Sequence, residues 1–355
     1  MMNTNDFTVS VAMATYNGER FLQEQLDSLA RQTLLPCELV VCDDGSTDGT
    51  LDILNSFAAK APFPVSIYPN ETRLGYGLNF LRAASLCSGD LIAFCDQDDV
   101  WLEQKLARCS AVISSTKCNL VIHSARVVDG NLKPLGPQTP SARRLTLLDS
   151  CILGGWRTFG YRLEMCLGFS CVFLSRLLKN LPPEPPLAGP GFGHERWLFF
   201  AAEVTGSIAL VPDALVLYRQ HNSNVVGFRR RRDLGDSLVL RVGYAQYWGQ
   251  AEDAEERARL LAEAAVREPE LLPRLVRAHR FYKARAGHLH RRASLYGDAS
   301  SKTGTARRLW SLILGGAYVP SSRGGLGLRA LAKDLVVPLL HGERMTDGDC
   351  RKETI

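Results

Sequence analysis

The chain has 355 residues, 46% of them hydrophobic and 22% charged, with a formal net charge of +5. That length supports one large domain or two smaller ones with real cores, and the composition is that of an ordinary globular protein. Ten cysteines occur without a CxxC pair, and Cys42, Cys95 and Cys171 sit inside apolar runs, so the chain predicts reduced cytosolic thiols and not a disulfide framework.

In chain order, Phe7 to Met13 is a β-branched apolar run and predicts the first strand, closed by a turn at Tyr16-Asn17-Gly18. Apolar residues at Phe21, Leu22, Leu26 and Leu29 predict a helix. Glu38 to Cys42 reads as a second strand, running into Asp43-Asp44-Gly45-Ser46, and Thr50 to Ala59 as the next helix, with Asp48 as its cap. Val65 to Tyr68 is a third strand, followed by a polar loop from Asn70 to Gly77 and a helix to about Leu86. Leu91 to Cys95 is an uninterrupted apolar run and reads as a strand buried on both faces. A helix from Trp101 to Ser114 and a strand from Leu120 to Ser124 complete a β-α alternation, which predicts a mostly parallel, doubly wound sheet. Beyond it, Met165 to Leu174 can form a strand beneath the site. Pro182 to Pro186 forces a stiff loop, a helix starts near Arg196, and Ser207 to Val211 and Ala214 to Tyr218 read as two strands. From residue 228 the composition changes to amphipathic helices with basic faces, opened by Arg229 to Arg232. The expected division is therefore 1–227 and 228–355.

The chemistry concentrates where strands end. Parallel strands share a carboxyl edge, where ligands bind in open α/β sheets, so Tyr16-Asn17, Asp43-Asp44, Asn70 to Arg73 and Asp96 to Asp99 line one crevice. Asp96, Asp98 and Asp99 place three carboxylates within four positions. A divalent cation relieves their repulsion, and oxygen ligands favour Mg²⁺ or Mn²⁺ over zinc. Asp99 can instead cap the following helix. No G-x-G-x-x-G follows the first strand and no Walker A sequence is present, which disfavours a nicotinamide or P-loop site. No signal peptide is visible, and no apolar run approaches the roughly 20 residues of a spanning helix.

The runs Val9 to Gly18, Val41 to Asp48, Asn70 to Asn79 and Asp96-Gln97-Asp98-Asp99 resemble those of a family 2 glycosyltransferase with a GT-A fold, over roughly Phe7 to Gly227. Tyr218 to Gly227 resembles the rhamnosyltransferase-like members. The resemblance implies a GT-A nucleotide-sugar-binding domain, a divalent metal and an inverting displacement. It implies donor contacts at Thr15, Tyr16, Asn17, Asp43, Asp44, Arg73 and Asp96, with Tyr16 packed on the base and Asp44 on its imide edge. It implies metal ligation by Asp96, Asp98 and His221. An inverting transfer needs a base for the acceptor hydroxyl. Glu195, at a helix start after a glycine-rich loop, is the candidate and His194 its rival; the family more often has Asp at this position. Trp156, with Phe159, and Trp197 are candidate acceptor contacts.

The expected activity is transfer from a nucleotide sugar, dTDP-rhamnose first and a UDP-hexose or UDP-hexosamine second, to a lipid-linked bacterial surface polysaccharide. The expected place is the cytoplasmic face of the membrane, held by basic C-terminal helices against anionic lipid. A catalytically silent nucleotide-sugar-binding module in a polysaccharide assembly complex is the alternative from a different class. No recognition motif supports a nucleic-acid partner.

Overall fold

A computed structural model describes residues 7–135, 167–179, 193–222, 224, 244–267, 271–297, 302–319, 326, 330–331 and 334–335. Trp156, Phe159, the proline-rich segment and Arg229 to Arg232 lie outside these. The chain divides into two compact units, residues 1–157 with 162–228, and residues 158–161 with 229–355.

The first unit is an eight-stranded sheet flanked by helices. Its elements are β1 (Val9–Thr15), α1 (Glu19–Ala30), β2 (Glu38–Asp43), α2 (Thr50–Ala58), β3 (Val65–Pro69), α3 (Tyr76–Ser85), β4 (Leu91–Cys95), β5 (Val100–Trp101), α4 (Lys105–Thr116), β6 (Leu120–Val128), β7 (Cys171–Leu174), α5 (Arg176–Lys179), α6 (His194–Thr205) and β8 (Ile208–Arg219). The strand order is β3-β2-β1-β4-β7-β6-β8-β5. The side-chain period of two splits the core between the sheet's faces. Val9, Val11 and Met13 pack with Leu22, Leu26 and Leu29 of α1 and with Leu106 and Ile113 of α4. Ala12, Ile92 and Phe94 pack on the other side with Phe80 and Ala83 of α3 and Leu198 of α6. Being covered on both faces is why β1, β2 and β4 read as continuous apolar runs.

Register carries the sequence into the site. Met13 stands beside Cys95 and Thr15 beside Asp43, so Tyr16, Asp44 and Asp96 leave the sheet at one edge. Asp48 accepts backbone N–H groups from both Glu19 and Thr50, serving the first turns of α1 and α2 together. Glu19 returns the favour by accepting from Gly49 N–H.

The sheet is mostly parallel over β1, β2, β3 and β4, as expected, and β7 enters antiparallel between β4 and β6. The structure differs from the sequence expectation in three places. Residues 208–219 form one strand, not two; its register against β6 shifts at Pro212-Asp213, where proline offers no N–H to the ladder. Val100 and Trp101 pair with β8 before α4 begins at Lys105, so the helix starts later than expected. Asp99 is accordingly no helix cap: it is fully buried, and its carboxylate accepts the Arg219 N–H.

The second unit contains α7 (Tyr244–Arg267), α8 (Leu272–Gly297) and α9 (Lys302–Leu314). Helices α7 and α8 form an antiparallel pair, with Tyr247 against Tyr296 at one end and the Ala258 carbonyl bonded to the His279 ring toward the other. Small residues at Ala251 and Ala293 let the helices approach. Buried Asp334 accepts from the Arg292 guanidinium and from the hydroxyls of Tyr296 and Tyr318 at 2.8, 2.6 and 2.8 Å. Removing one partner would strand a buried charge.

Candidate active site

Strand β4 delivers its last residue, Cys95, into full burial and turns the chain out at Asp96. Oxygen atoms of Asp96, Asp98 and Asp99 then lie within 4.8 Å of one another. The pKa of Asp96 is pushed up to about 7, first by burial and then by the charges of Asp98 and Glu195. Burial also holds Asp99 well above the usual carboxylate range, and its second oxygen, Oδ2, is buried without a hydrogen-bond partner. Beneath the cluster lies Lys105, wholly buried, its ammonium 3.2 Å from the centre of the Trp101 ring and donating to the Phe169 carbonyl at 2.7 Å. Its positive charge offsets part of the repulsion above, while burial pulls its own pKa down to about 8.

Asp98 is held from the far end of the unit. His221 Nε2 lies 2.8 Å from Asp98 Oδ2, with the imidazole packed on Phe21 at 4.9 Å between centroids. Arg219, 1% exposed, ties the region together. Its Nε donates to the Asp98 carbonyl at 2.8 Å, its Nη1 to the Gly130 carbonyl at 2.7 Å and its Nη2 to Glu24 at 2.8 Å. Three carboxylates, one with an orphaned buried oxygen, and one imidazole form a donor set that fits a hard divalent cation, with Asp96, Asp98 and His221 on the cleft side.

These groups border an open cleft of about 810 Å³, a volume suited to a sizeable organic ligand. Thr15, Tyr16, Asn17, Asp44, Arg73 and Glu195 also line it. Tyr16 is 38% exposed, and the Arg73 guanidinium lies 3.9 Å over its ring. Gln97 clamps Tyr16 in place, accepting from its N–H at 2.9 Å and donating to its carbonyl at 3.0 Å. Asn17 adopts φ 48° and accepts from Thr47 N–H at 2.8 Å, so its side chain shapes the wall. Asp44 accepts from the N–H groups of Leu74 and Gly75 at 2.7 and 2.8 Å and from Asn70 at 2.8 Å. It thereby folds the 70–75 loop over the cleft.

Glu195 sits in the first turn of α6, its side chain 17% exposed. His194, the alternative base, is buried between the rings of Phe80 and Phe94, and burial pushes its pKa down to about 3. An imidazole so reluctant to hold a proton is a poor general base near neutrality.

Two sequence candidates are corrected. Asp43 is fully buried, and both its oxygens are used inside the protein. It accepts from Thr15 Oγ1 at 2.7 Å, from Gly45 and Ser46 N–H at 3.2 and 2.8 Å, and from Ser46 Oγ at 2.6 Å. Those four bonds fill a carboxylate's capacity, so Asp43 organises the loop and keeps no lone pair for a ligand. Trp197 is 3% exposed and stacks on Phe200, on the core side of α6, so it offers no acceptor platform. Trp156 lies outside the described residues. Arg219, Lys105 and Gln97 were not among the candidates. Arg219 lay inside the Tyr218 to Gly227 run, but nothing in sequence distinguishes Lys105 from a solvated helix lysine.

Comparison with known proteins places this geometry. The chain matches the profile described as Glycosyl transferase family 2 over residues 10–181. It is 30% identical over 227 residues to the dTDP-rhamnosyl transferase RfbG of Shigella flexneri, covering 61% of this chain and 73% of that one. It is 28% identical over 153 residues to the UDP-Glc:alpha-D-GlcNAc-diphosphoundecaprenol beta-1,3-glucosyltransferase WfgD of Escherichia coli, covering 42% and 58%. The chain spans between 59% and 73% of the length of the first curated relatives it matches. Among solved structures, Staphylococcus aureus TarS in complex with UDP-GlcNAc superposes with a TM-score of 0.52 at 21% identity, over 92% of this chain and 88% of that one, a likeness of fold. On the strength of the matched profile and the Shigella relative, this chain belongs to glycosyl transferase family 2 and is a glycosyltransferase of GT-A fold.

Proposed function

We propose that this enzyme is an inverting, metal-dependent transferase that moves a sugar, rhamnose from dTDP-rhamnose, onto a lipid-linked surface-polysaccharide acceptor. The observation that carries the reading is the convergence of Asp96, Asp98, His221 and Glu195 on one cleft that the exposed Tyr16 ring also lines. Tyr16 stacks on the base, with Arg73 beside it as a cation for the nucleotide. Asp44 and the 70–75 loop it orders border the base; its bonds to Leu74 and Gly75 come first, and the imide edge meets the remaining lone pair on Oδ2. Asp96, Asp98 and His221 would hold a Mg²⁺ or Mn²⁺ ion, which would supply Lewis-acid stabilisation of the negative charge on the leaving nucleoside diphosphate. Glu195 accepts the proton of the acceptor hydroxyl as that oxygen attacks the anomeric carbon from the face opposite the leaving group.

The rhamnosyl donor is favoured by the Shigella relative and by the Tyr218 to Gly227 run; the Escherichia coli relative, named for UDP-Glc, supports a UDP-hexose as the second choice. The lipid-linked acceptor and a place at the inner face of the membrane rest on that second relative's name and on the charge of the C-terminal helices. None of the described helices is long and apolar enough to cross a membrane.

The test is nucleoside diphosphate release from a panel of nucleotide sugars, with and without Mn²⁺ and with a lipid-linked acceptor present. The reading expects release from dTDP-rhamnose alone, abolished by a chelator. Release from UDP-glucose alone would replace the donor. Tight nucleotide binding with no release from any donor would favour a silent binding module.

A further inference from the structure

Helix α8 has an unusual charge pattern. Its sequence, Leu272–Gly297, contains seven Lys and Arg and no Asp or Glu, whereas its partner α7 carries five Asp and Glu against three Arg. The exposed positions of α8 include Arg277, Arg280, Lys283 and Arg291. At 100° per residue they fall on about a third of the helix circumference, so they form one stripe along its length. A basic stripe by itself is an ordinary solvated face.

The second observation is on α9. Trp310 and Leu314 are 62% and 81% exposed, where the other exposed large hydrophobic side chains among the described residues range from 37% to 44%. They share a face with exposed Arg307, one turn apart. The opposite face of α9 is spent on the core of this unit, through Leu309 and Leu312. The two surfaces adjoin. Arg291, at the end of the α8 stripe, brings Nη1 within 3.0 Å of where a Cβ on Gly315 would stand, just past the end of α9. Arg308 of α9 donates to the Ser294 carbonyl of α8 at 2.6 Å.

We propose that the outer faces of α8 and α9 form one docking surface for an anionic lipid leaflet, with Trp310 and Leu314 entering the headgroup boundary and the α8 stripe lying on the phosphates. This gives the peripheral membrane association proposed above a definite surface, and rests on that reading for its purpose. An indole and a leucine beside cationic side chains match the chemistry of that boundary: apolar burial and attraction to acidic headgroups act together. The acidic balance of α7 orients the unit, since a leaflet of negative charge attracts the α8 side and repels the other. Across the whole chain, residues 229–355 hold 24 Lys and Arg against 15 Asp and Glu, while residues 1–228 hold 18 against 22. The attraction is therefore a property of the second unit.

The experiment is co-sedimentation of the full chain with vesicles of phosphatidylcholine alone or with roughly 30% phosphatidylglycerol, at about 0.05 M and about 0.5 M salt. Wild type is expected to bind the anionic vesicles and to weaken at high salt. Arg280→Gln with Lys283→Gln should bind about thirtyfold more weakly at low salt, with a smaller salt dependence. Trp310→Ser with Leu314→Ser should lose about tenfold or more at both salts. Donor turnover with a soluble acceptor should be unchanged in both pairs. That readout separates the two proposals: lost turnover in wild type strikes the catalytic reading, and lost vesicle binding strikes this one. Absence of wild-type binding to anionic vesicles, or unaltered binding by both pairs, would overturn the surface. A Trp310/Leu314 pair that dissociates a dimer in sedimentation yet still binds vesicles would instead assign the face to a second copy of the chain.

Discussion

Between Phe80 and Phe94, the His194 ring has centroid distances of 4.2 and 4.6 Å, and burial keeps it neutral, with a pKa near 3. His123, buried in β6 with Nδ1 2.8 Å from the Ser124 carbonyl, is pushed down to about 3 in the same way. Both protonate near pH 6.5 once the chain unfolds, so the unfolded state takes up protons that the fold refuses. Their stabilising contribution is present above pH 6.5 and is lost as the pH falls toward 3, by about 2 kcal/mol each at pH 5. Chemical denaturation between pH 7 and 5 should show that decline, and His194→Leu should remove its share of it. An unchanged slope in the variant would contradict the assignment. At this scale the sequence showed which side chains meet but not how many bonds each already makes. Asp43 and Asp44 are adjacent and chemically identical, yet one is filled by four internal donors and the other faces the cleft. Only the folded turn of residues 43–46 tells them apart.

The loop between β3 and α3 shows how an element sets the site's shape. Gly75 stands at φ 81° and ψ 156°, a region that side chains with a Cβ avoid, and its N–H and that of Leu74 both point at Asp44. No atom lies within 4 Å of where a Cβ would stand, so the cost of a substitution is backbone strain alone. Gly75→Ala should lower unfolding stability by about 1–3 kcal/mol and raise the donor KM more than it lowers kcat. A variant with wild-type stability would show that the loop adopts another backbone in solution. Strands and helices up to β4 were legible because β1, β2 and β4 are buried on both faces and read as apolar runs, while the half-exposed edge strand β3 is set off by its flanking turn residues. The order beyond β4 was not. A four-residue strand, Cys171–Leu174, carries too short a pattern to announce that it enters antiparallel between β4 and β6. Trp197 was misread for a related reason. A tryptophan two positions from a candidate base suggests a platform, but Trp197 is buried and stacks on Phe200, which only the folded helix reveals.

At the scale of the molecule, the site is assembled from distant sequence. Asp98 and His221 are 123 positions apart and meet at 2.8 Å because β8 returns the chain to the sheet edge where β4 ends. Arg219, the last residue of β8, braces the Asp98 carbonyl and Glu24 of α1 from one guanidinium, so the acidic loop, α1 and β8 hold one another. The central claim is that Glu195 is the base of a transfer whose donor is held by the rest of the cleft. It is tested most directly by comparing wild type with Glu195→Gln in two assays, donor binding by calorimetry and turnover with acceptor. The account predicts a donor Kd within about threefold of wild type and a kcat lowered by about 10²–10⁴-fold. A Glu195→Gln enzyme with turnover within about tenfold of wild type would contradict it, and the proton would have to leave by another group.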